Sequence, residues 1–183
     1  MINLCRDACG FQQWEDNNMS NIGYRLAGAA LAATFVGALC TATNAQLVTR
    51  KDLTPAMALT IAQGALEACS KQGYRVSVHV VGRDGEVLVA VRGETPHTYE
   101  NSMRKAYTSR TTRAPSGDMV KRVKENPQLP LLMLANITTA QGALPIKVGE
   151  DVIGAVGVSG APGGDKDEAC SKAGIDKVAG ELK

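Results

Sequence analysis

Two stretches of this chain alternate valine with other residues and then double back across a short turn, which restricts the fold more than any other feature of the sequence. Arg75 to Val81 places Val76, Val78 and Val80 on one side of an extended segment, and Val87 to Arg92 follows across Asp84-Gly85. An Asp-Gly pair accepts the positive φ angles of a tight hairpin turn. Leu144 to Val148 and Val152 to Val158 repeat the arrangement across Gly149-Glu150-Asp151. Strands joined by hairpins build an antiparallel sheet, whereas a doubly wound parallel sheet needs a helix between successive strands.

Helical segments flank both pairs. Thr54-Pro55 predicts a helix start, with a hydroxyl to cap free N–H groups and a proline where no N–H is required. Leu59, Ala62, Leu66 and Cys69 then fall on one face, and Gly73 ends the segment. Thr98 to Arg110 reads as a second helix. Ser116 to Glu125 reads as a short third, capped by Ser116 and stopped by Pro127 and Pro130. Asp165 to Leu182 closes the chain as a helix whose early acids suit its positive end. The expected order is α-β-β-α-α-β-β-α and the fold class α+β, an antiparallel sheet covered by helices. Glu67-Ala68-Cys69-Ser70-Lys71-Gln72-Gly73 recurs almost letter for letter as Glu168-Ala169-Cys170-Ser171-Lys172-Ala173-Gly174. The match stops there, so it reads as two helix segments with similar demands rather than a duplicated domain.

The front of the chain has a different character. Leu26 to Ala42 is uncharged and apolar, preceded by Arg25 and followed by Thr43-Asn44-Ala45 with small residues at both recognition positions. This is the pattern of a secretory signal peptide cleaved after Ala45, and it predicts a periplasmic or extracellular protein without a permanent membrane anchor. Residues 1–18 carry more acid than base, so Met19 is the better start. Residues 46–183 then suffice for one domain with its own core. The net charge of the whole chain is only +2, and no basic-aromatic motif occurs, which gives no case for nucleic acid. Trp14, Phe11 and Phe35 all precede the cleavage point, leaving Tyr74, Tyr99 and Tyr107 as the aromatic residues beside His79 and His97.

Lys105-Ala106-Tyr107-Thr108, Gly142-Ala143-Leu144-Pro145-Ile146, the run Gly154-Ala155-Val156-Gly157-Val158-Ser159-Gly160 and Asp167-Glu168-Ala169-Cys170 occur in this order over nearly all of Leu53 to Leu182. Together they resemble the GlcG/HbpS family, also called the haem-degrading domain family. The resemblance implies a profilin-like sheet of about five strands, with Ile137 to Thr139 as a further edge strand. It also implies haem as cofactor and a homo-oligomer, of a size such as an octamer. The chain departs from the family pattern at several places, among them His79, where the family more often has a small apolar residue, and Ser109, which replaces the usual alanine. Gly82 stands where many members have Asp, and Gln141 and Ala143 replace Glu and Gly.

Candidate functional residues cluster around the second helix. His97 sits at the junction of strand and helix, where loops on rigid scaffolds present ligand groups, and its imidazole is a donor suited to haem iron. Tyr99 and Met103 are the other axial donors nearby. Arg104, Lys105, Arg110 and Arg113 suit haem propionates through charge-assisted hydrogen bonds, and Lys105 and Thr108 occupy the family's Lys-Ala-x-Thr motif. His79, flanked by Val78 and Val80, reads as a strand-face or subunit-interface residue. Cys69 and Cys170 lie in the first and last helices of an exported chain and predict a disulfide. Gly154, Gly157 and Gly160 mark close packing rather than a phosphate loop, because they lie within a strand. No nucleophile, base and acid set is present; Ser159 lacks the Gly-x-Ser-x-Gly elbow. The sequence therefore predicts an exported haem-binding protein acting as carrier, store or sensor input. Its rivals are a haem-degrading enzyme and an oligomeric protein that binds another small ligand or partner without haem.

Overall fold

A computed structural model describes residues 49–183; the expected signal peptide, its cleavage site and the Met19 start lie outside the described residues. Helix α1 (Pro55–Ser70) starts where the sequence predicts. The Thr54 hydroxyl accepts from the Met57 N–H at 3.2 Å, and Pro55 occupies the first turn. Gly73, at φ +77°, turns the chain away. Strands β1 (Ser77–Gly82) and β2 (Val87–Val91) form the first hairpin, β3 (Ala143–Val148) and β4 (Asp151–Ser159) the second. β1 and β4 pair antiparallel from Ser77↔Ser159 to Gly82↔Gly154, giving the sheet order β2-β1-β4-β3. The sheet has four strands, not about five. Ile137 to Thr139 forms no ladder; instead the Thr138 N–H donates to the Thr108 hydroxyl at 2.9 Å, so a helix side chain holds this segment.

Period-two alternation decides which layer each strand residue joins. Val78, Val80, Ile146, Val156 and Val158 face α1 and helix α4 (Gly164–Asp176), forming the main core with Ile61, Ala62, Ala65, Cys69 and Cys170. The expected α1 face is rotated. Ala58, Ile61, Ala62, Ala65 and Cys69 are buried, while Leu59 is 47% exposed. Close contact between α1 and α4 explains this: a Cβ at Gly174 would lie 2.4 Å from the Ile61 carbonyl oxygen, so small residues face the crossing.

On the opposite sheet face lies helix α2 (Thr98–Thr112). Helix α3 (Asp118–Glu125) follows, then a 3-10 turn at Pro130–Met133. Ser116 does not cap α3 as expected. It is buried, and its hydroxyl accepts from the Ala143 N–H at 3.0 Å while its own N–H donates to the Ala143 carbonyl, tying the loop to the start of β3. The order α-β-β-α-α-β-β-α and the α+β class agree with the sequence reading. No helix among the described residues is long and apolar enough to cross a membrane.

Candidate functional site

Helix α2 lies directly on the sheet because β4 carries no side chain at the crossing. A Cβ on Gly157 would sit 2.3 Å from the Ser102 carbonyl oxygen and 2.6 Å from the Ala106 nitrogen. The layer around this contact is polar. Ser77 and Thr98 share a hydrogen bond of 2.9 Å between their hydroxyls, and Asn101 Nδ2 donates to Ser159 Oγ at 3.0 Å. The Thr98 hydroxyl is also within 2.7 Å of the Thr95 carbonyl, and the Gly93 N–H donates to Ser77 Oγ, so the loop before α2 is fastened to β1.

His79 belongs to this layer and is 2% exposed, consistent with a strand-face residue. Its Nδ1 lies 2.8 Å from Ser102 Oγ, and Ser102 donates its only hydroxyl proton to the Tyr99 carbonyl at 2.8 Å. Nδ1 must therefore be the protonated nitrogen and Ser102 Oγ the acceptor, leaving Nε2 with the lone pair. Burial pushes the imidazole pKa down from 6.5 to about 4, so His79 is neutral at pH 7. The Tyr99 ring meets it edge-on, with 4.5 Å between centroids.

His97 is its opposite in environment. It is exposed, holds the N-cap of α2 with no side-chain cap bond, and sits at φ +57° in the left-handed region. Such a conformation is uncommon for a residue with a Cβ, although histidine tolerates it better than most. Tyr99, 44% exposed, follows on the first turn of the helix. Met103 and Arg104 are half-buried one turn further on. Arg104 Nη2 pairs with Glu100 at 2.6 Å, but its Nε is buried without a partner.

Lys105 and Thr108 turn inward, away from these four. The Lys105 ammonium donates to Asp167 Oδ2 at 2.7 Å and to the Val158 carbonyl at 3.0 Å, with both side chains of the ion pair 4% exposed. Burial raises the Asp167 carboxyl above its usual range, opposed by the Lys105 hydrogen bond and by the Ala161 N–H. This pair links α2 to α4 past the end of β4. Reading Asp167 as a helix-dipole acid missed it, because nothing local in the sequence joins two residues so far apart. Thr108 Oγ1 is engaged by the Thr138 segment. Cys69 and Cys170 form a disulfide with their Cα atoms 5.6 Å apart.

Six of the candidates thus divide. His97, Tyr99, Met103 and Arg104 share the outer side of one helix end, and Lys105 and Thr108 belong to the interior. His97, Tyr99 and Met103 are a nitrogen, an oxygen and a sulfur donor of the kinds that ligate haem iron. The orphaned Arg104 Nε is a charged donor that a propionate carboxylate would satisfy. On these two observations the residues present fit a haem group.

The family model described as "Haem degrading protein HbpS-like" matches residues 53–176. The chain is similar to a crystal structure of HbpS at 35% identity and a TM-score of 0.68, covering 72% of this chain and 93% of that one. A double mutant of HbpS from Streptomyces reticuli is 33% identical with a TM-score of 0.69, covering 82% and 97%. A PduOC:heme complex, 19% identical with a TM-score of 0.61 over 69% and 95% of the two chains, shares the fold. No curated protein matches. With the family model matched over residues 53–176 and this identity and coverage to HbpS, the chain belongs to the HbpS-like family.

Proposed function

We propose that this chain is an exported haem-binding protein serving as a haem carrier, store or sensor input. The observation that carries the reading is the end of α2, where the exposed His97 and the orphaned Arg104 Nε stand within two turns of one helix. The imidazole of His97 would supply a nitrogen ligand to ferric iron, and Tyr99 and Met103 are the alternative donors. Bound haem would supply the redox-active iron. Arg104 would hold a propionate by donating from Nε while Glu100 keeps its outer nitrogen in place. His79 is the less accessible imidazole, sealed behind Tyr99 and Ser102. Among the described residues Met103 and the Tyr99 ring offer apolar surface here, and a second copy in a homo-oligomer would supply the rest of the wall. The Cys69–Cys170 disulfide and the apolar Leu26 to Ala42 run with its small-residue flank support export to the periplasm or beyond.

The test is a haemin titration of residues 46–183, followed by optical spectra and light scattering. A saturable Soret band that shifts and weakens in His97→Ala, with Arg104→Gln lowering affinity at unchanged band position, is expected. A wild-type spectrum and affinity in His97→Ala moves the ligand to Tyr99 or Met103, and no visible band at all refutes haem binding. The family description favours a second reading, haem degradation. Under a reductant and oxygen, loss of the Soret band with a biliverdin-like product would establish it, and a stable band would leave the binder.

A further inference from the structure

At the far end of α2, about 24 Å along the helix axis from His97, a cleft of about 270 Å³ opens among Arg83, Asp84, Arg110, Thr111, Arg113 and Asp151. Arg83 is fully occupied. Its Nε donates to Asp52 at 2.8 Å, and Nη1 and Nη2 grip Asp151 at 2.9 and 2.7 Å, so this arginine is a rigid wall between the two hairpin turns. Arg110 and Arg113 are not so occupied. Arg110 commits only Nε, to the Arg83 carbonyl, and its nearest carboxylate, Asp84, stands 4.0 Å from Nη2. Arg113 Nη2 reaches the Glu150 carbonyl at 3.3 Å and lies 3.9 Å from Asp151. Separations near 4 Å are ion pairs without a hydrogen bond, leaving several guanidinium N–H groups unused.

Two further observations point the same way. Thr111, between the two arginines in sequence, is part of the cleft lining, and its hydroxyl is buried with no partner. Arg113 itself sits at φ +59° just past the helix, a position that ordinarily selects glycine. The negative end of the helix dipole accounts for cations in the last turn, but not for idle donors or an orphaned hydroxyl. Two guanidinium groups with unused donors on one cleft, beside a threonine whose hydroxyl lacks a partner, suit a tetrahedral oxyanion with several acceptor atoms better than a planar carboxylate.

We propose that this cleft binds phosphate, either as the free ion or as the terminal group of a phosphomonoester, held by Arg110, Arg113 and Thr111. The site is separate from the haem reading and stands without it.

The experiment is calorimetric titration of the oxidised protein with inorganic phosphate, phenyl phosphate and acetate at matched ionic strength. Arg113→Gln changes a side chain that is 62% exposed and so leaves the fold intact. Arg110→Gln and Thr111→Val complete the set. Saturable phosphate binding is expected, weakened about tenfold by either arginine change, as loss of a charged hydrogen bond implies, and several-fold by Thr111→Val. Thr111→Val discriminates best, since a purely structural cluster would tolerate the loss of an unpaired hydroxyl and show no change in phosphate affinity. Tighter phenyl phosphate than phosphate identifies an ester ligand, and the reverse the free ion. Equal affinity for acetate, no binding of either phosphate, or affinity untouched by the three substitutions overturns the proposal.

Discussion

Two histidines of the same residue type have opposite fates, set by the faces on which they stand. His79 alternates with Val78 and Val80, so the valines enter the main core and the imidazole turns to the polar layer under α2, where burial lowers its pKa to about 4. Its folded-state pKa is below the unfolded value of about 6.5, so the unfolded chain binds the proton more readily. The stabilisation is complete above pH 6.5 and is lost as the pH falls through the folded value. Between those limits the protein should lose about 3 kcal/mol from this group. Chemical denaturation of the wild type and His79→Gln from pH 7 to 4 checks this; the variant should show a shallower decline, and parallel curves would assign the acid loss elsewhere. His97 carries a different cost, the left-handed backbone at φ +57°. His97→Gly should raise unfolding free energy by about 1 kcal/mol, because glycine adopts that conformation freely and caps a helix adequately. Denaturant midpoints measure it, and the same variant should shift and weaken the Soret band as His97→Ala does, separating the residue's chemistry from its structural burden. The alternation that placed His79 was legible from neighbours alone. The conformation of His97 was not, since it arises from a loop whose length and tethers to β1 fix the entry into α2.

Among the elements, the meeting of α2 with β4 depends on one missing side chain. Gly157 lets the helix backbone rest on the strand, and any Cβ there would collide with the backbone at Ser102 and Ala106 rather than with a movable side chain. Gly157→Ala should therefore cost about 3 kcal/mol, the upper part of the range for overpacking, and shift α2 outward. A fall in melting temperature with altered near-ultraviolet signal from Tyr99 would show it, and a neutral effect would mean that the two elements have room to separate. The repeated Glu-Ala-Cys-Ser-Lys strings show how far local reading carries. Their cysteines do occupy matching places and bond, yet their glycines diverge: Gly73 terminates α1 at positive φ, and Gly174 lies inside α4 against the Ile61 carbonyl. Identical letters met different neighbours. The same limit explains α1, whose buried face follows Ile61 and Ala65 instead of Leu59 because the close approach of α4 at Gly174, against the Ile61 carbonyl and Ala65, sets which side of the helix turns inward.

At the scale of the domain the disulfide closes a long loop, with a sequence separation of 101 residues. Reduction should lower stability by about 4–5 kcal/mol in the chain-entropy account, a large share of the usual stability of a small domain. Guanidinium unfolding with and without reductant measures the difference. A change below about 1 kcal/mol would mean that α1 and α4 are held by packing alone. The sequence by itself determined the capped start of α1, both hairpins, the α+β class and the pairing of the cysteines. These follow from local signals, namely capping residues, turn glycines and period-two alternation, together with the family motifs. Tertiary structure decided what no local signal encodes. It set the four-strand sheet, in which Thr108 captures the segment expected as an edge strand. It turned Lys105 inward to Asp167, 62 residues away, and left Arg104 with an idle donor. Such pairings depend on where separate helices come to rest across a shared sheet, and a buried charge takes whatever partner that packing brings within reach.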